Sequence, residues 1–229
     1  GQTATMPHTG QRLLAFLALQ RRPVSRNHVA GSLWPETSEA HAAASLRSTL
    51  WRLGRRDLIE TADGQLRLAP HVTVDLYEGL DLASAILDPA SGPPTGPVDL
   101  GLLTEDLLPD WSDDWVLFPR ERLRQLRLHA LEGLCGQLAA RGRYAQAVEA
   151  GLAAVEADPL RESAHRALIG AHLAEGNVGE AIRQYRSLER LLRQELDVEP
   201  TETFPELLRE LGPGRSSLHA VPPRAASRH

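Results

Sequence analysis

The chain has 229 residues, 42% of them hydrophobic, and a formal net charge of −5, a composition that suits a soluble protein long enough for two domains. The sequence contains no run of about eighteen apolar residues, which excludes a membrane-spanning helix, and no charged-then-apolar leader that would direct export. Cys135 is the single cysteine, so no intramolecular disulfide can form and a reducing cytoplasm is the expected location.

All 25 basic residues are arginine, which reflects a GC-rich genome more readily than chemistry, although arginine also suits phosphate and guanine contacts. Their distribution is uneven. Residues 1–56 hold eight arginines against Glu36 and Glu39, whereas residues 105–211 hold 13 arginines against 20 acidic residues. A sign difference between halves is expected where one half meets phosphate and the other does not.

In chain order, Leu13, Phe16 and Leu17 at helical spacing predict a first helix over 12–20, stopped by Pro23. Ser25 can cap a second helix running through Trp34, with Val29, Ala30 and Leu33 inward and Pro35 ending it. Thr37 or Ser38 caps a third helix from about Glu39 to Arg56. Leu58–Thr61, an Asp63-Gly64 turn and Gln65–Leu68 then read as a β-hairpin. Three helices followed by a hairpin make a winged helix-turn-helix.

Asp75 opens a further helix to about Leu87, and the Pro- and Gly-rich stretch that follows is a loop within 88–104. From Leu107 the pattern is helical to about Val198, with short breaks at Gly142, Asp158-Pro159 and Gly176-Asn177, and a closing helix falls within 202–211. Inside this stretch Ala130, Leu134, Cys135, Ala140, Gly142, Ala147 and Val148 recur thirty-four residues later as Ala164, Leu168, Ile169, Ala174, Gly176, Ala181 and Ile182. That period is the mark of a tetratricopeptide-type helix–turn–helix repeat, whose units bury their apolar faces only by stacking. The expected fold is mainly α: a winged helix-turn-helix domain over 1–72, a tetratricopeptide-like repeat domain over 73–211, and a disordered tail over 212–229.

On a helical wheel the third helix separates an inward stripe of Ala43, Leu46, Leu50 and Leu53 from an outer stripe of His41, Ala44, Ser48, Trp51, Arg52 and Arg55, with Arg47 on its flank. Small residues let a helix approach a groove floor, while serine and arginine reach base edges and phosphates. The plain alternative is an ordinary solvated face. Trp51 argues against it, although Trp51 can instead pack on the wing. Arg56 follows this stripe, and Arg67 on the second strand of the hairpin is placed to enter a minor groove. These eight residues, His41, Arg47, Ser48, Trp51, Arg52, Arg55, Arg56 and Arg67, form the candidate DNA-binding set.

Leu33-Trp34-Pro35 and residues 42–53 resemble the OmpR-type winged helix of the Streptomyces antibiotic regulatory protein family. Leu-Leu-Pro-Asp-Trp (107–111), Trp115, residues 142–147, 158–168 and 174–177, Gln184-Tyr185 and residues 196–201 resemble that family's bacterial transcriptional activation domain. The resemblance spans roughly 10–211. It departs in two ways: the family usually carries a small antiparallel sheet ahead of the first helix, where about nine residues stand here, and it tends to have arginine at Gly54 and an aromatic at Leu66. It implies an activator that binds direct repeats of double-stranded DNA, associates with itself there and contacts RNA polymerase. Gly212–Ser217 lacks the lysine of a nucleotide-binding loop, so the family's short form is expected. A protein-interaction adaptor with a degenerate first domain is the alternative.

Other chemistry is weakly supported. His165 and His172 lie seven apart with Glu162 and Glu175 nearby, but two helical turns is a long reach for one ion, and packing is the simpler role. Asp113-Asp114 suits a helix start better than a catalytic pair. No nucleophile–base arrangement, metal site or cofactor motif is expected, and the chain is not expected to be an enzyme.

Overall fold

A computed structural model describes residues 6–54, 57–88, 90, 91, 96 and 98–211. Arg55, Arg56, part of the proline-rich loop and the expected tail lie outside the described residues. The elements run α1 (His8–Gln20), β1 (Val24–Ser25), α2 (Arg26–Leu33), α3 (Glu39–Leu53), β2 (Ile59–Ala62), β3 (Gln65–Leu68), α4 (Asp75–Leu87), α5 (Gly101–Thr104), α6 (Asp114–Ala139), α7 (Tyr144–Ala157), α8 (Glu162–Glu175), α9 (Val178–Leu196) and α10 (Phe204–Leu211). The chain is mainly α, with one winged helix-turn-helix and one set of repeat helices.

Two compact units emerge. One takes the chain through Glu78 together with Leu107–Arg122; the other takes Gly79–Asp106 and the described residues from Leu123 on. The expected single cut at residue 72 differs from this division. Trp115 is the physical reason: it packs edge-on against Phe16 at 5.4 Å and adds to the core of the first unit. Trp111 meets Trp115 edge-on and lies 5.5 Å from the His8 ring, so this segment belongs with the first unit by its aromatic contacts.

The first unit is built around Leu13, Phe16 and Leu17 of α1, Val29, Ala30 and Leu33 of α2, and Ala42, Leu46 and Leu53 of α3. Ser25 caps α2 by accepting from the His28 amide, and Ser38 rather than Thr37 caps α3 by accepting from the His41 amide. The hairpin pairs Glu60 with Arg67 and Thr61 with Leu66 across the Asp63-Gly64 turn. Its second strand also pairs with β1, giving an antiparallel sheet of order β1-β3-β2. The two-residue strand β1 was not expected. Its buried Val24 sits opposite Leu66, a pairing that only the tertiary fold creates.

Four other expectations are corrected. Helix α3 stops at Leu53 rather than near Arg56, because Gly54 adopts φ +62 and its amide bonds back to the Trp51 carbonyl. Its buried stripe is Ala42, Leu46, Thr49 and Leu53, rotated from the expected one, with Ala43 and Leu50 half-buried at its edge. The segment after Leu107 is not helical until Asp114. Pro109 disfavours helical geometry at Leu108, which sits at φ +47, and Arg120 donates to the carbonyls of Leu107, Leu108 and Trp111 to hold the turn. Near the proline-rich loop, Gly101–Thr104 forms a single helical turn.

In the second unit the thirty-four-residue register appears as structural equivalence. Ala130, Leu134, Cys135 and Ala147 are buried, and so are Ala164, Leu168, Ile169 and Ala181. Gly142 and Gly176, at φ +72 and +87, close the matching turns. Packing is close enough that a Cβ added at Gly151 of α7 would stand 3.1 Å from both Cys135 Sγ and Leu168. Burial pushes the Cys135 thiol up to about 12, so it serves as a small apolar filler. A second cluster of Ile169, Leu173, Ala181 and Leu207 joins α8 and α9 to α10.

Candidate nucleic-acid interface

The outer face of α3 follows from its buried one. Once Ala42, Leu46, Thr49 and Leu53 point into the core, His41, Ala44, Arg47, Trp51 and Arg52 are exposed and Ser48 is half-buried. Trp51 is 80% exposed, so it does not pack down on the wing. It instead borders a groove of about 420 Å³ between α3 and β2, lined by Arg26, Arg47, Leu50, Leu53, Ile59 and Thr61. Arg26 was not singled out in the sequence. It is the first residue of α2, and only the tertiary fold brings it to the groove beside α3.

Among the described residues no acidic side chain pairs with Arg26, Arg47 or Arg52. Two other arginines of the same unit are committed. Arg12 donates to the Leu33 carbonyl at 3.0 Å and pairs with Asp113. Arg67, expected at a minor groove, is held across the hairpin by Glu60, with Nε donating to Oε2 at 2.8 Å. His41 is engaged too: its Nδ1 lies 2.8 Å from the Ser38 hydroxyl that caps the helix.

The simple charge argument changes once the units are known. The first unit, with residues 107–122 included, holds eleven arginines and eleven acidic residues, so the excess over 1–56 is balanced by the segments folded with it. The basic character of α3 therefore rests on Arg47 and Arg52 themselves and not on a regional excess of charge.

His165 of α8 has a structural role. His165 is 1% exposed, its Nε2 lies 2.9 Å from the Pro159 carbonyl and its Nδ1 lies 2.8 Å from Gln184 Nε2. Both ring nitrogens are used: Nε2–H donates to Pro159 and Nδ1 accepts from Gln184. Burial pushes the His165 and His172 pKa values down from the ordinary imidazole range. Among the described residues no helix is long and apolar enough to cross a membrane, and no group of three potential metal ligands assembles.

Residues 99–211 match the family model described as "Bacterial transcriptional activator domain". The chain is 27% identical over 88% of its length to a protein of Streptomyces griseus named "Regulatory protein AfsR", and 29% identical over 90% of its length to the protein of that name from Streptomyces coelicolor. It spans 22% of the length of each of these relatives. Among solved structures, Mycobacterium tuberculosis EmbR in complex with a low-affinity phosphopeptide shares the fold, with a TM-score of 0.67 and 22% identity over 92% of this chain and 60% of that one. The winged helix-turn-helix and the domain matched at 99–211 together support a transcriptional regulator of the Streptomyces antibiotic regulatory protein type.

Proposed function

We propose that the chain is a sequence-specific DNA-binding activator in which α3 enters the major groove. The observation that carries this reading is the outward face of α3, where Arg47 and Arg52 stand exposed beside an exposed Trp51 with no acidic partner among the described residues. Exposed unpaired guanidinium groups can bond guanine edges bidentately or hold phosphates, and Ala44 lets the helix backbone come close. Ser48, His41 and the wing residue Arg67 complete the described contact set; Arg55 and Arg56, which belong to the proposed set, lie outside the described residues.

The helical unit supports side-by-side binding on direct repeats and contacts RNA polymerase. Head-to-tail binding places the two recognition helices on one side of the duplex when the repeats lie about one helical turn apart.

The deciding experiment is a gel-shift titration against the region upstream of the chain's own gene, at several salt concentrations. Arg47→Ala and Arg52→Ala should each weaken binding by about 1–3 kcal/mol if the side chain reads a base, or lower the salt slope by about one if it holds a phosphate. Unchanged affinity and salt dependence in the double variant would sink the proposal and leave the protein-interaction adaptor standing. Inserting about half a helical turn between the repeats should abolish cooperative binding, and a full turn should partly restore it.

A further inference from the structure

Arg127 lies on α6 in the second unit, and only 6% of its surface is exposed. Burial lowers its pKa, with Asp106 and then Glu105 opposing the shift, yet a guanidinium remains charged in any case. Such a group carries five N–H donors. Here Nε donates to the Leu103 carbonyl at 2.8 Å. Asp106, the carboxylate paired with it, stands 3.9 Å from Nη2, beyond hydrogen-bond reach, and its own side chain is 69% exposed. A buried cation satisfied at one nitrogen and loosely faced at another is costly, because desolvation is offset only by close partners.

The guanidinium lines a cleft of about 460 Å³, a volume within the usual range of small-molecule sites. Thr104, Asp106, Arg124, Ala153, Glu156 and Ala157 form its accessible walls, while Leu103, Leu128 and Leu131 lie buried beneath them. Both carboxylates belong to exposed residues.

We infer that this cleft binds a small organic monoacid, whose carboxylate accepts from the terminal nitrogens of Arg127 while its apolar body rests on Ala153 and Ala157. Asp106 competes for the same guanidinium in the free chain. Arg124 and Arg127 balance Asp106 and Glu156 along the lining, so a ligand with one carboxylate takes the place that Asp106 vacates. The residues involved all lie in the helical unit, so the inference stands independently of the DNA-binding proposal.

Amide NMR on the whole chain tests it, with sodium benzoate and sodium octanoate as probes and benzyl alcohol and octanol as neutral controls of matching shape. At least one acid should give saturable shifts at residues 103–106, 127–131 and 153–157, and neither alcohol should. Asp106→Asn should tighten the responding acid by about two- to five-fold, the scale of one exposed ion pair. Arg127→Met should abolish the response. If that variant fails to fold, Asp106→Asn decides alone, since its side chain is exposed. No saturable shift with either acid, equal shifts with the alcohols, or unchanged affinity in Asp106→Asn would each overturn the assignment.

Discussion

The arginines of α3 and several of the second unit's stand in different surroundings, although Arg186 and Arg190 of α9 are exposed with no acidic partner among the described residues, as Arg47 and Arg52 are. In the second unit Arg161 donates to Glu132 at 2.6 Å and to Gln125 at 3.2 Å, Arg166 is shared by Glu202 and Glu210, and Arg193 pairs with Glu199 at 2.6 Å. In the first unit Arg47 and Arg52 have no such partner among the described residues. A paired guanidinium has its donors occupied and its field cancelled. An unpaired exposed one keeps both for a ligand. Regional charge totals miss this distinction, since the first unit as folded is neutral by count.

The largest effect should come from the core that presents the α3 face. Leu46 is 2% exposed and lies in the cluster shared by α1, α2 and α3. Leu46→Asp places an unpaired charge there, a change expected to cost more than about 4 kcal/mol and to unfold the first unit. Circular dichroism should show helix loss together with loss of DNA binding. A variant that keeps its helical signal and loses only binding would mean that Leu46 faces the ligand and not the core.

A paired comparison of arginines cuts closer. Arg161→Ala breaks a half-buried network and should lower stability by about 1–3 kcal/mol while leaving DNA affinity unchanged. Arg52→Ala should do the reverse, with the melting temperature kept and affinity lost. Melting curves and gel shifts on both variants read the two effects separately. If both variants lose stability equally and neither loses affinity, the contrast between the two regions has no functional content.

Much of the fold was legible because it is written locally. The serine caps, the Asp63-Gly64 hairpin, the span of α4 and the thirty-four-residue repeat all rest on neighbours within a turn or on a fixed period. What escaped depends on distant partners. Strand β1 exists only because Val24 meets Leu66, and residues 107–122 join the first unit only because Trp115 meets Phe16. The inward stripe of α3 came out rotated because a wheel that scores apolar residues passes over Thr49, which is 4% exposed. For the candidate interface, the outward set on α3 was readable from that same wheel, whereas Arg26 required the groove to be seen. The Glu60–Arg67 pair was within reach, since a two-residue turn at Asp63-Gly64 places those two residues opposite each other.

A subtler effect concerns pH. His165 is buried in the repeat unit and its pKa is pushed down first by burial, against the raising influence of the Pro159 carbonyl and of Glu162. The unfolded chain therefore takes up the proton more readily, and stability falls as the pH drops below the ordinary imidazole value of about 6.5. His172 shifts in the same direction. The melting temperature should decline between about pH 7 and pH 5, and more gently in His165→Gln, whose amide can still donate to Pro159. An identical decline in that variant would remove His165 as the source.

The smallest effect bears on the wing, where the two uses of arginine meet. Arg67 is half exposed, as an interface residue should be, yet Glu60 holds it as the paired arginines of the second unit are held. Exposed ion pairs contribute about 0–1 kcal/mol, so a nearby phosphate or minor groove can take Arg67 from Glu60 at little cost. Glu60→Gln keeps the shape of the strand while removing the competing charge. If Arg67 contacts DNA, this variant should bind a few-fold more tightly and with a steeper salt dependence, and Arg67→Ala should reverse both changes. If Arg67 serves only the hairpin, Glu60→Gln should still strengthen binding slightly by removing a negative charge near the duplex, but adding Arg67→Ala should then change nothing beyond the loss of one distant charge. The salt slope of the double variant relative to Glu60→Gln separates the cases: a fall of about one marks a phosphate contact, and no change confines the arginine contacts to α3 and its neighbours.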